Sequence, residues 1–192
     1  MPLTLTRTVE PAALPVLWAE AQAHMRLDGT TEQTYVETLL GVATRVVEEE
    51  TQRALITQTW ALRCDDFPVQ FELPRPPLAS VSSIAYTDEN GDAQTLAASV
   101  YQVDLYSLSG RVTTAVDQVW PNTYSGAYNT VVVTYTAGYG AAGSSVPLPL
   151  RQAILLLTAH WFEHREAVGP SMAELPMAVK YLIAPFRTMT QR

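Results

Sequence analysis

The residues that come nearest to a reactive constellation are His160, Glu163 and His164. They lie in the run His160-Trp161-Phe162-Glu163-His164, which matches H-x-x-E-H, the inverted zinc-peptidase pattern. On a helix the i, i+4 spacing sets both imidazoles on one face, as a shared metal requires. A zinc-dependent hydrolase using His160, Glu163 and His164 is therefore the enzymatic alternative. Against it, the chain has only one further histidine, His24, and no acidic cluster arranged to supply a third ligand and its hydrogen-bonded support. The favoured expectation is two histidines at the edge of a packed stripe, capped by the charges of Glu163, Arg165 and Glu166. It carries no metal, no cofactor and no catalytic residue.

Other chemistries find less support. There is no G-x-S-x-G, and neither Ser109-Gly110 nor Ser125-Gly126 is set in a nucleophile elbow. Gly138-Tyr139-Gly140 lacks the glycine and lysine that a phosphate loop needs. Asp88-Glu89-Asn90-Gly91-Asp92 opens like a calcium loop, but the acid required at the twelfth position is replaced by Ser99. Tyr124, Tyr128, Tyr135 and Tyr139 have no interleaved Lys or Arg, so they read as strand packing and loop anchors rather than base-stacking platforms. Cys64 is the sole cysteine, which excludes a disulfide within the chain, and it reads as structurally neutral.

Composition narrows the class further. With 12 basic and 19 acidic side chains the formal charge is -7, and no cluster of Lys or Arg offers a grip on phosphate backbones. The 192 residues, 47% hydrophobic and 16% charged, allow one domain or two small ones with a sizeable core. No run approaches the roughly 18 to 20 apolar residues of a membrane span, and the amino terminus lacks a secretory signal. An intracellular soluble protein with no membrane partner is expected.

The elements that must position these residues begin with an extended lead-in from Met1 to Leu14. A short helix is predicted over Leu17–Leu27 and ends at Asp28-Gly29. Thr30 is the expected N-cap of the next helix, with Gln33 at the capping-box position. Val36, Leu39, Leu40, Ala43, Val46 and Val47 then trace one stripe through about Gln52. Three adjacent acids, Glu48-Glu49-Glu50, point in different directions around a helix and read as a solvated end.

From Ala54 the residues turn β-branched and aromatic. About six strands follow, with the proline run Leu73–Leu78 as a fixed crossing and Asn90-Gly91 at the tip of a hairpin between Ser80–Thr87 and Ala93–Leu96. Val100–Leu105, Arg111–Ala115 and Thr130–Ala137 supply further strands. Pro147 and Pro149 then set the start of the best-defined helix, in which Leu150, Ala153, Ile154, Leu157 and Trp161 form one buried stripe. A second apolar flank, Leu155, Ala159 and Phe162, lies roughly opposite His160, with Gln152 and Glu163 forming one narrow polar strip and Arg151, Thr158 and Arg165 another. Gly169-Pro170 breaks the chain, Leu175-Pro176 begins a last helix, and Pro185 ends or kinks it. The tail from Phe186 to Arg192 is expected to be frayed or ordered by a partner.

The order helices, strands, helices predicts an α+β fold. Residues 1–56 and 146–192 form a small discontinuous helical bundle, and 57–145 an inserted antiparallel β-domain of about six strands.

The sequence also resembles a known family, the head-tail connector or adaptor proteins of tailed bacteriophages, in the branch with a β insertion. The resemblance rests on Arg53-Ala54-Leu55-Ile56-Thr57-Gln58-Thr59-Trp60, Leu73-Pro74-Arg75-Pro76-Pro77-Leu78 with Val81, Tyr101-Gln102-Val103-Asp104 followed by Gly110-Arg111, and Tyr135–Gly140. It continues through Gln152–Leu157 with His160-Trp161 and Arg165-Glu166-Ala167, and closes on Leu175–Val179, Leu182 and Ala184-Pro185-Phe186-Arg187. What the resemblance implies is a non-enzymatic virion protein at the head-tail junction, made in the host cytoplasm. It would be a homo-oligomeric ring, commonly of twelve, docked between the portal protein and a tail-side stopper or terminator protein, with DNA passing through without sequence-specific binding. It assigns portal contact to the carboxyl-terminal segment, here Leu182, Pro185, Phe186, Arg187, Met189 and Arg192. Contact with a neighbouring subunit falls to Leu155, Ala159 and Phe162. Closure of equivalent head-to-tail contacts makes a ring rather than a filament.

Overall fold

The computed structural model describes residues 3–165 and 175–188. It is α+β, with four α-helices and two antiparallel sheets, and it divides into two compact units that the chain visits in alternation. Met1–Pro11 and Thr57–Tyr139 make the β unit, while Ala12–Ile56 and Gly140–Arg192 make the helical unit.

In the β unit, β1 (Thr4–Val9), β2 (Gln58–Cys64), β4 (Leu78–Thr87), β5 (Ala93–Thr95) and β8 (Val131–Ala137) form one sheet in the order β1-β2-β8-β4-β5. β8 is its centre. Its sequence, Val131 to Ala137, alternates buried and half-buried side chains, as a strand paired on both edges and covered on one face should. Tyr135 sits opposite Trp60 on one side and Val81 on the other, and its hydroxyl donates to the Pro74 carbonyl at 2.8 Å. A second sheet, in the order β3-β7-β6, joins β3 (Phe71–Leu73), β7 (Gly110–Thr114) and β6 (Tyr101–Asp104).

The sequence pattern resolves about six strands; the described residues form eight. Residues 4–9, expected as an extended lead-in to the bundle, are instead paired with β2, Thr4 opposite Arg63. The short β3 is the other addition. The predicted hairpin is present: Gly91, at φ +90°, donates to the Asp88 carbonyl, and the Asp88 carboxylate accepts from Asn90 and Asp92 amides and from Gln94. Those bonds hold the Asp88 carboxyl below the usual range, Gln94 contributing most. The acid serves its own turn, which accounts for the calcium-like spacing. Tyr124 and Tyr128, expected as anchors, are exposed. Cys64 is buried, and desolvation pushes its thiol up to about 11.

In the helical unit, α1 (Trp18–Met25), α2 (Gln33–Thr51), α3 (Leu148–Glu163) and α4 (Met177–Ile183) pack around Val36, Leu40, Ala43, Val47, Leu150 and Leu157. α2 does not begin on a Thr30 capping box: Glu32 is the N-cap, no side chain caps it, and only the Thr30 carbonyl accepts from the Gln33 amide. Gly143 lies so near Pro15 that a Cβ would fall 2.3 Å from its carbonyl oxygen, a close approach only glycine permits. α4 ends before Pro185, and Ala184–Phe186 forms a 3-10 turn. The predicted break at Gly169-Pro170 lies outside the described residues.

Candidate functional site

α3 carries the H-x-x-E-H run at its last turn. The imidazoles of His160 and His164 lie with ring centroids 4.6 Å apart, so the helix does bring them together. His164 Nδ1, however, lies 2.9 Å from the His160 carbonyl, where it caps the end of its own helix. Glu163 and His164 are exposed. Among the described residues no group of three His, Cys, Asp or Glu side chains is placed to hold a metal. The neighbouring charge does other work: the Arg165 guanidinium lies 4.9 Å from the rings of both Phe162 and Tyr35 and pairs with Glu32 at 3.2 Å. Glu166 lies outside the described residues.

The second flank of α3 is half-buried at Leu155, Ala159 and Phe162. Phe162 has a partner within its own chain, the Tyr35 ring at 6.1 Å. Leu155 lines a cleft of roughly 410 Å³ beside Leu148, Gln152 and the Arg151–Glu20 ion pair, so this end of the flank is the open one. Two readings of the helical wheel are corrected here. Trp161 is half-buried rather than core, and Thr158, placed on a polar strip, is fully buried with its hydroxyl unpartnered among the described residues.

The carboxyl-terminal segment is anchored by residues whose roles the sequence hid. Glu48, expected in a solvated end, is 4% exposed. α2 closes with Gln52 at φ +55°, which turns the chain back so that the Leu55 amide donates to the Glu48 carboxylate at 2.9 Å. Only Glu49 and Glu50 remain toward solvent, and Glu50 pairs with Arg187. The same turn presents Arg53, 9% exposed, whose Nε donates to the Phe186 carbonyl at 2.6 Å, while the Thr188 amide donates to the Thr51 carbonyl at 3.1 Å. Phe186, Arg187 and Thr188 are therefore held by their own chain, which corrects the expectation of a tail either frayed or ordered by a partner from Phe186 onward. Leu182 and Phe186 are half-buried, Pro185 and Arg187 exposed. Met189 and Arg192 lie outside the described residues.

Two features of the β unit had no signal beyond polar loop composition. A cleft of roughly 710 Å³ opens beside the stacked rings of Phe67 and Trp120, 4.9 Å apart. In the β6–β7 loop, Asp104 accepts from the amides of Tyr106 and Ser107, from the Ser107 hydroxyl and from Arg111. Those donors, Ser107 first and Arg111 next, hold its carboxyl well below the usual carboxylate range. Among the described residues no helix is long and apolar enough to cross a membrane.

No protein-family model matches the chain, and no curated protein matches it. Solved structures do. The neck of an empty gene transfer agent particle, computed with C6 symmetry, contains a chain that is 26% identical, with a TM-score of 0.82 over 98% of this chain and 97% of its own. The virion of a native gene transfer agent particle gives 26% identity and a TM-score of 0.78 over 98% and 97%. The neck of a native particle, computed with C12 symmetry, gives 26% identity and 0.72 over 100% and 98%.

Proposed function

We propose that this chain is a structural neck protein of a tailed, phage-like particle, an adaptor whose copies close into a ring of twelve. The ring docks between a portal protein and a tail-side stopper or terminator protein, and DNA passes through it. The observation that carries this reading is a likeness that runs end to end in both chains, both units included, to components of particle necks. A ring of twelve is also compatible with both symmetries under which those necks were computed.

The surface chemistry fits the role. A formal charge of -7 without a Lys or Arg cluster suits a wall past which DNA must slide, because counterion release on phosphate contact is what would make the wall adhere. The anchored turn at Pro185, Phe186 and Arg187, with Leu182 before it, forms the base of the portal-directed segment that Met189 and Arg192 complete. Leu155, at the open end of the α3 flank, and the half-buried Ala159 face a neighbouring subunit, Phe162 being engaged in part by Tyr35. The hydrolase alternative gains no observation, since no third ligand accompanies His160 and His164 among the described residues.

The test is a map of purified particles with the chain carrying an added density tag. A ring of tag density at the head-tail junction is expected; tag density elsewhere, or a chain missing from the particles, overturns the reading.

A further inference from the structure

The three-stranded sheet carries exposed apolar side chains at both of its ends. At one end is the β6–β7 loop, with Tyr106 fully exposed and Leu105 and Leu108 about half-exposed or more. This loop is not loose. Asp104 gathers the Tyr106 and Ser107 amides, the Ser107 hydroxyl and the Arg111 guanidinium, and the buried Gly110 at its base approaches Leu78 so closely that a Cβ would fall 2.2 Å from a methyl group. The hairpin is thus a preformed finger, and a fixed tyrosine at its tip loses little entropy on docking.

The antiparallel register puts a different patch at the opposite end. Leu73 pairs with Gly110 near the finger, so the chain before β3 runs toward Thr114, and Val69 lies there with its carbonyl 3.4 Å from the Thr113 hydroxyl. Val116, just past β7, stands at the same end, and both valines are almost wholly exposed. These apolar side chains stand in the turns just beyond the strands, grouped at the two ends of a fixed sheet, where a contact surface can form on them.

We infer that in the assembled ring the Tyr106–Leu108 finger of one copy packs on the Val69 and Val116 patch of the next copy. The inference rests on the ring reading above. A cyclic head-to-tail contact requires two different patches on each subunit, and the two ends of one sheet supply them. The finger is also uncharged, its only cation, Arg111, being paired with Asp104. Copies that each carry a net charge of -7 can meet there without placing like charges together, whereas a DNA backbone finds no free cation.

The experiment is disulfide mapping in assembled particles. Tyr106→Cys and Val116→Cys are combined in one chain; the native Cys64 is buried with its thiol pKa pushed up to about 11, which keeps the background low. Mild oxidation is expected to give a ladder of linked subunits. An incorporated chain without a ladder, or a finger cysteine linked to a different protein, overturns the contact while leaving the ring intact; an unsubstituted chain that is missing from particles overturns the ring reading instead. Maleimide labelling of each single variant gives a second readout. Both cysteines should label about tenfold more slowly in particles than in the free chain, as buried interface positions do, and full labelling of either one refutes the pairing.

Discussion

Arg53 and Phe186, 133 residues apart, are joined by a 2.6 Å hydrogen bond from the guanidinium Nε to the carbonyl oxygen. The bond ties the turn after α4 back to the body of the helical unit. Arg53 is buried at the turn that closes α2, and Thr188 docks on Thr51 one residue beyond Arg187.

Two truncations should therefore differ. Removal of residues 189–192 is expected to leave the unfolding midpoint unchanged while weakening portal attachment. Removal from Phe186 onward takes one acceptor from a buried guanidinium, along with the Thr188–Thr51 bonds, and should cost about 2 kcal/mol. Urea melts and portal pull-down on the two chains check this; equal stability of both would show that the anchor carries nothing.

Glu48 should behave unlike the acids beside it. Its carboxylate receives the Leu55 amide in a buried site, so Glu48→Leu is expected to destabilise by about 2 kcal/mol. Glu48→Gln, which keeps an acceptor, should cost less, and Glu49→Gln at the exposed position should cost under about 0.5 kcal/mol. Chemical denaturation of the three variants ranks them.

At Thr158 the expected sign is reversed. A hydroxyl buried with no partner among the described residues opposes folding, so Thr158→Val should raise stability by about 1 kcal/mol. A thermal melt that falls instead would mean that the hydroxyl is bonded.

The finger should be ordered over an unusually wide acid range. Asp104 has a folded-state pKa depressed below the unfolded value of about 3.9. Its contribution is therefore fully present above that value and is lost only as pH falls through the lower, folded pKa. Protection of the Tyr106 and Ser107 amides, relative to intrinsic exchange at the same pH, should persist at pH 4, and Asp104→Asn should lower it at every pH above the folded pKa of Asp104. Protection in the native chain that is already lost as pH falls to about 5 would contradict the assignment.

Much of the helical unit was legible because helical periodicity is local. The stripes of α2 and of α3, and the prolines that start α3, need no tertiary context. The hairpin at Asn90-Gly91 was legible for the same reason, its turn chemistry being contained in a few residues. β1 was not, since Thr4–Val9 becomes a strand only by pairing with residues fifty or more positions away. Glu48 and Thr158 were misread because residue type suggested solvent, while the packing of the turn after Gln52 and of α3 buries them. The anchoring role of Arg53 depends on a contact across most of the chain's length, which no spacing reveals. Phe162 was readable as apolar, but its Tyr35 partner was not.

The central claim is most directly tested by the mass of the purified chain, alone and mixed with its cognate portal, by native mass spectrometry with bound metal assayed on the same sample. The account predicts a closed ring of twelve subunits, by itself or on the portal, without stoichiometric zinc. A chain that stays monomeric in the presence of portal and carries one zinc per subunit would contradict it and return attention to His160 and His164.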